Sequence, residues 1–255
     1  MRSVQKRLWR IYWYLEKLFV PGLRSSQYAY YETLRSHLRR PMKWLDLGCG
    51  HQVFPKWMHR EQDEVIAKAS LAVGLDCDLP SLKKHRGIRN HAVANVTMLP
   101  IKAESFDIVT ANMVVEHLER PSVVLREIKR ILKPEGIFLF HTPNYRNYLV
   151  FLAARVSPEL KKAIVARIDG RAEDDIFPTY YRLNTRGDIR ACAERAGLEL
   201  VDLQMETTSA FTGSLGPLAV FELMLIRLLR RERMKPFRPD IVAVLKNPRR
   251  FEARA

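Results

Sequence analysis

The 255-residue sequence holds only three cysteines, Cys49, Cys77 and Cys192, and no CxxC pair. That spacing excludes a disulfide framework and a thiolate zinc site, and it fits a reducing compartment. Glu116-His117 is a two-residue fragment with no further ligands at metal-binding spacing, so no metal is expected. Long apolar runs are missing as well. Nothing approaches the roughly 18 consecutive apolar residues of a transmembrane helix. Near the N-terminus the run Ile11 to Leu15 is closed off by Arg10 and Glu16, too short for a signal-peptide core, so no secretory leader is expected. Internal repeats and low-complexity stretches are also lacking. Acidic residues are scarce at both ends: residues 1–43 carry ten basic residues against two acidic, and residues 222–255 ten against four.

What is present is therefore unevenly placed. The net charge is +15, yet residues 44–221 hold 23 basic and 22 acidic residues and contribute only +1. A nucleic-acid-coating module would carry its charge throughout the fold, so that class is not expected. With 47% hydrophobic and 28% charged residues the chain has the composition of a globular protein, and its length suits one large domain with insertions. Residues 1–41 read as a basic amphipathic helical segment and residues 42–255 as the main domain.

Within the first segment Val4, Leu8, Ile11, Leu15 and Leu18 recur at helical spacing, and Pro21-Gly22 ends the helix. Arg2, Lys6 and Arg10 mark another face, and Trp9, Tyr12, Trp13, Tyr14 and Phe19 add aromatic surface. Two readings stand here: a helix lying in a membrane interface, or a helix packed on its own domain with solvated arginines.

From Lys43 the pattern becomes strand, turn and helix, repeatedly. Strands are expected at Met42–Leu47, Leu71–Asp76, His91–Val96, Phe106–Ala111, Gly136–Phe140, Leu198–Leu203 and Asp240–Leu245. Helices are expected at Phe54–Ala69, Pro80–His85 and Pro121–Leu132, and after Thr185, whose Asp188 three residues on makes a near capping box. Such alternation predicts an α/β fold with a doubly wound, mostly parallel sheet. Two insertions interrupt it. Residues 145–184, with a helix signalled at Ser157-Pro158-Glu159, read as a lid, and residues 207–239 carry the apolar run Leu218–Leu229.

The most informative segment is Trp44-Leu45-Asp46-Leu47-Gly48-Cys49-Gly50. Glycines at a strand-to-helix turn let backbone N–H groups approach a ligand. Asp76, at the end of the next strand, is placed to accept both hydroxyls of a ribose. A dinucleotide fingerprint needs another glycine at position 53, which is Val53. Asp46 would repel a pyrophosphate and suits an ammonium group instead.

Further motifs follow in order: Gly74-Leu75-Asp76, Met98-Leu99-Pro100, Ser105-Phe106-Asp107-Ile108-Val109, Val115-Glu116-His117-Leu118 and Ile131-Leu132-Lys133-Pro134-Glu135-Gly136. Together they make the chain resemble class I S-adenosylmethionine-dependent methyltransferases, strongly over Trp44–Asn144 and weakly as far as Lys246. The nearer likeness is to bacterial ubiquinone-biosynthesis O-methyltransferases and methyltransferases of polysaccharide gene clusters. The resemblance implies a seven-stranded Rossmann-like sheet with a reversed last strand, and S-adenosyl-L-methionine as cofactor. It places Asp46 and the Gly48-Cys49-Gly50 turn around the methionine part, Asp76 at the ribose, and Asn95 with Val96 at the adenine. Asn112 falls near the sulfonium and the substrate. Two departures stand out. The family's third glycine is Gln52 here, and the usual adenine-binding acid is Asn95, whose side-chain carbonyl retains the ability to accept.

The implied reaction is in-line methyl transfer to a small-molecule or lipid- or polysaccharide-linked acceptor, at oxygen. His117, His141 and Asn144 each follow a strand's carboxyl end, where substrate sits in this fold. They are the catalytic candidates, with His141 as general base. Against this stand a helix-capping His117 and a purely structural His141-Thr142-Pro143-Asn144 turn. Asp174, Asp175, Phe177, Tyr180, Tyr181, Arg182 and Asn184 suit a lid over a sugar or quinol head group, or a polar loop. Two rival functions remain. One is an RNA methyltransferase using the basic flanks, for which no RNA-binding motif is visible. The other is a catalytically silent cofactor-binding partner subunit, favoured by Gln52 and Asn95. Residues 1–20 and 218–235, where arginines follow the apolar run, fit an anionic membrane surface, with a core helix or dimer interface as the alternative. The expected location is cytoplasmic, peripheral on the cytoplasmic face of the inner membrane.

Overall fold

A computed structural model of the chain describes residues 3–153, 177–213 and 215–249. Its elements in chain order are α1 (Ser3–Phe19), α2 (Ser26–His37), β1 (Lys43–Leu47), α3 (His59–Lys68), β2 (Leu71–Asp76), α4 (Leu79–Leu82), β3 (Asn90–Val93) and β4 (Phe106–Asn112). There follow α5 (Pro121–Ile131), β5 (Leu132–Pro143), α6 (Tyr148–Ala153), α7 (Arg186–Ala196), β6 (Glu199–Glu206), α8 (Pro217–Leu229) and β7 (Asp240–Lys246). The strands make one sheet in the order β3-β2-β1-β4-β5-β7-β6. Strands β1 to β5 pair in parallel, and β7 runs antiparallel between β5 and β6. This is the doubly wound sheet expected from the alternation of strands and helices, with the reversed last strand that the resemblance implies.

Side chains alternate across the strands, so the central strands feed two cores. Leu45, Leu47, Val109, Phe138, Phe140 and Ala243 pack against α5 and α7 through Leu125, Ile128, Ile189 and Ala193. Trp44, Ile108, Ile137, Leu139, Val242 and Val244 pack on the opposite face against Tyr30, Leu34 and Leu38 of α2 and its continuation, and Val65 of α3. Helix α2 thus covers one face of the sheet. A third cluster joins Tyr12 and Val20 to Ala219, Leu223 and Ile226 of α8.

Several boundaries differ from expectation, for identifiable reasons. The helix expected from Phe54 begins at His59, after a 3₁₀ turn over Lys56–Met58. Val53 and Phe54 are buried, and Gln62 Oε1 accepts from both of their amides at 3.0 and 3.4 Å. Pro55, having no N–H, closes this loop. The strand expected from Gly136 begins at Leu132, so Pro134-Glu135-Gly136 lies inside the longer β5, at a register shift opposite Phe106/Ile108. Thr185 caps α7 as expected, accepting from the Asp188 amide at 3.1 Å. The helix expected at Ser157-Pro158-Glu159 lies outside the described residues, as do Asp174 and Asp175. Among the described residues no helix is long and apolar enough to cross a membrane.

Candidate active site

Residues from β1, β2, β4 and β5 converge where these parallel strands end at their carboxyl edge, and the start of the reversed β7 meets them there. The glycine turn is held against β2. Gly48 and Cys49 donate from their amides to Leu75 O at 2.7 and 3.1 Å. Gly50 donates to Asp76 Oδ2 at 2.7 Å, and Asp78 donates from its amide to Asp76 Oδ1 at 2.8 Å. Gly48 has a positive φ of 64°, and a Cβ there would lie only 2.4 Å from Val114 Cγ2, so position 48 requires glycine. Gly50 has a φ of 50° and open space where a Cβ would project. The expected approach of turn amides to a ligand needs correction for residues 48–50, because those amides are already bonded within the fold.

Asp46 follows Trp44 on the α2 face of β1. It is buried, and Thr110 Oγ1 donates to its Oδ1 at 2.6 Å. Burial lifts its carboxyl to about 7, with the Thr110 hydroxyl opposing and Asp76 adding to the rise. Asn95 sits in an exposed loop after β3. Its side-chain carbonyl accepts from both the Thr97 amide at 2.9 Å and the Thr97 hydroxyl at 2.8 Å. The acceptor expected to meet an adenine amino group is therefore committed to a local turn. Val96 packs on the core beside it.

Asn112, at the end of β4, joins three elements. Its Nδ2 donates to Val53 O at 3.1 Å and to Gln27 Oε1 at 2.9 Å. A backbone carbonyl can only accept, so Val53 fixes the amide's orientation and turns Oδ1 to His141 Nδ1, 2.9 Å away. His141 therefore carries its proton on Nδ1. Its Nε2 has no partner among the described residues and lies 3.9 Å from Asp240 Oδ2. The ring is buried and stacks on Tyr30, with centroids 5.9 Å apart. Burial lowers the imidazole to about 4, and burial, with smaller contributions from Glu116 and Glu206, raises the Asp240 carboxyl to about 7, opposed by a 2.7 Å hydrogen bond from Ser26 Oγ.

The opposite face of β5 carries a second polar group. Glu116 is buried, and Thr142 Oγ1 donates to it at 3.0 Å; burial pushes its carboxyl to about 7. Asn184 donates to Thr142 Oγ1 and to Pro143 O, both at 2.7 Å. Tyr180 and Tyr181 donate their amides to Glu116 O, which ties the end of the 145–184 segment to this edge.

The structure thus brings together Gly48, Cys49, Gly50 and Asp76 in one group, and Asn112 and His141 in another. Two catalytic candidates are placed elsewhere. Asn144 donates from Nδ2 to Pro236 O and Arg238 O at 2.9 and 2.8 Å, and accepts from Arg146 N at 3.0 Å. All its polar side-chain atoms are spent on backbone, so its task is to staple the loop before β7. His117 ends a 3₁₀ turn over Val115–His117; its Nδ1 donates to Pro178 O at 2.8 Å and its ring meets Phe177. Ser26, Gln27, Tyr30 and Asp240 join the site without having been expected there. Only Asp240, an acid opening an apolar strand, offers any signal in the sequence.

Does this edge suit the cofactor that the motifs imply? Asp76 uses one lone pair of each oxygen on backbone amides, which leaves capacity for two ribose hydroxyls. The open space at Gly50 adds room beside it. These residues fit the group.

The chain matches the methyltransferase-domain family over residues 25–203. It is similar to a ubiquinone biosynthesis O-methyltransferase of Paraburkholderia phymatum, 29% identical over 174 residues that cover 68% of this chain and 71% of that protein. It is also similar to a malonyl-[acyl-carrier protein] O-methyltransferase of Salmonella typhimurium, 27% identical over 169 residues, and spans 61% of that relative's length and 61% of its own. Among solved structures, an S-adenosylmethionine-dependent methyltransferase of Mesorhizobium loti shares the fold with a TM-score of 0.52 and 19% identity, covering 86% of this chain and 97% of that one. One of Methanosarcina mazei does so at 0.56 and 14%, covering 85% and 97%.

Proposed function

Because the chain belongs to the methyltransferase-domain family of S-adenosylmethionine-dependent enzymes, we propose that it methylates an oxygen on a small or lipid-linked acceptor. When bound, the cofactor supplies an electrophilic methyl group on a sulfonium. Asp76 holds the ribose, Val96 packs beside the adenine, and Gly50 and Asp46 flank the amino-acid end. Asn112 orients the histidine, and His141 takes the acceptor's proton at Nε2. The resulting imidazolium would lie between the Asn112 carbonyl and the Asp240 carboxylate, which stabilises it. Tyr30 and Ser26 of α2 roof this position and exclude water, so the acceptor enters where the first turn of α2 meets the strand ends.

One observation carries the reading: an unpartnered, buried Nε2 at the carboxyl edge of the sheet, in a tautomer fixed by Asn112. Oxygen rather than nitrogen as the acceptor atom is supported by the need of a hydroxyl for a base, and by the named activities of the two relatives. The test is His141→Gln assayed on the isolated acceptor. A drop in kcat of about 100-fold or more with an unchanged KM for the cofactor supports the role. Unchanged turnover removes it.

A further inference from the structure

Helices α1 and α8 pack against each other through Tyr12, Leu15, Phe19, Ala219, Leu223 and Ile226. Tyr12 donates to Glu16 and accepts from the Ala210 amide, and Arg230 Nη1 reaches Pro21 O at 2.7 Å. The pair is thus firmly joined. The only acidic residue in each helix faces inward: Glu16 is 7% exposed and Glu222 5%. Glu222 is further bonded to the Tyr148 hydroxyl and to the amides of Phe211 and Thr212.

The outward stripes are apolar and basic. On α8, Leu218, Phe221, Met224 and Leu228 follow at helical spacing, with Phe221 73% exposed. Exposed Arg227 and Arg231 adjoin this stripe. On α1, Ile11, Tyr14 and Leu18 are outward, with Tyr14 69% exposed. Arg7 and Arg10 line a groove of about 380 Å³ with Ile11 and Tyr14. A helix face that meets only water is normally polar. Large apolar side chains flanked by cations, with no exposed acid among the described residues of either helix, match a bilayer interface, where the apolar groups enter the acyl boundary and the cations meet phosphates. A second copy of the chain fits less well. Its matching stripe would bring the same arginines against these.

We propose that α1 and α8 form a docking surface for a bilayer containing anionic phospholipid. This rests on the reading of the protein as an enzyme of lipid-linked acceptors.

The test is co-sedimentation of the full chain with phosphatidylglycerol–phosphatidylcholine vesicles and with phosphatidylcholine vesicles alone, at low and high salt. Binding to the anionic vesicles, weakened by salt, is expected. Phe221→Glu with Met224→Glu, and separately Arg7→Glu with Arg10→Glu, should each lower it by about tenfold or more. Calorimetric affinity for S-adenosylmethionine should stay unchanged in both variants. Equal binding to both vesicle types, no binding, or variants that bind like the original chain would overturn the proposal. So would a dimer, seen by sedimentation velocity, that Phe221→Glu dissolves. Vesicle binding without cofactor binding would instead refute the enzymatic reading and leave the docking surface standing.

Discussion

His141 on β5 donates from Nδ1 to Asn112 Oδ1 on β4 across 2.9 Å. That single bond decides which nitrogen keeps its lone pair, because the Val53 carbonyl has already fixed the Asn112 amide. Removing the acceptor leaves a buried N–H without a partner. Asn112→Leu is expected to lower stability by about 1–3 kcal/mol, read as a shift in the urea midpoint. It should also reduce turnover alongside His141→Gln without adding to it, since both changes act on the one proposed proton acceptor.

The buried Glu116 makes stability depend on pH. Its carboxyl is raised from 4.5 to about 7 by burial. Between those values the folded protein keeps a proton that the unfolded chain has released. The contribution to stability is therefore largest at acid pH, declines as pH climbs toward 7, and levels off above it. Glu116→Gln keeps an acceptor for Thr142 and removes the charge. It should stabilise by about 1–3 kcal/mol at pH 8 and have little effect near pH 4.5, measured by urea unfolding at each pH.

Gly48 is fixed by its backbone and by Val114 together. Gly48→Ala places a methyl 2.4 Å from Val114 Cγ2 at a φ of 64°. A loss of about 2–4 kcal/mol is expected. Adding Val114→Ala should return part of it, because the clash is relieved while the backbone strain remains. Thermal unfolding of the single and double variants separates the two effects.

These residues also show where the sequence is legible. The run from Trp44 to Gly50 and the acid at Asp76 are readable, because a two-residue period followed by a glycine turn leaves little choice of structure. The role of α2 is not. Ser26, Gln27 and Tyr30 look like ordinary residues of a polar helix, and their partners Asp240, Asn112 and His141 lie far along the chain. Asn144 misleads for a related reason. An asparagine after a strand end serves a loop as readily as a substrate, and only its three backbone bonds decide between them. The motif order points Asn95 at adenine, but a local turn, invisible to motif matching, claims its carbonyl.

Asp76 ties the turn to the expected ribose position. Asp76→Ala removes both the proposed ribose acceptor and the bond to the Gly50 amide. Cofactor affinity should fall by about 10–100-fold by calorimetry. Asn95→Ala should weaken it far less.

The most direct measurement is transfer of label from methyl-tritiated S-adenosylmethionine into fractionated bacterial extract, with the intact chain and with Asp76→Ala. The expected result is label in a small-molecule or organic-extractable lipid fraction, as a methoxy group, absent with the variant. Label confined to RNA, or no label despite measurable cofactor binding, would contradict it.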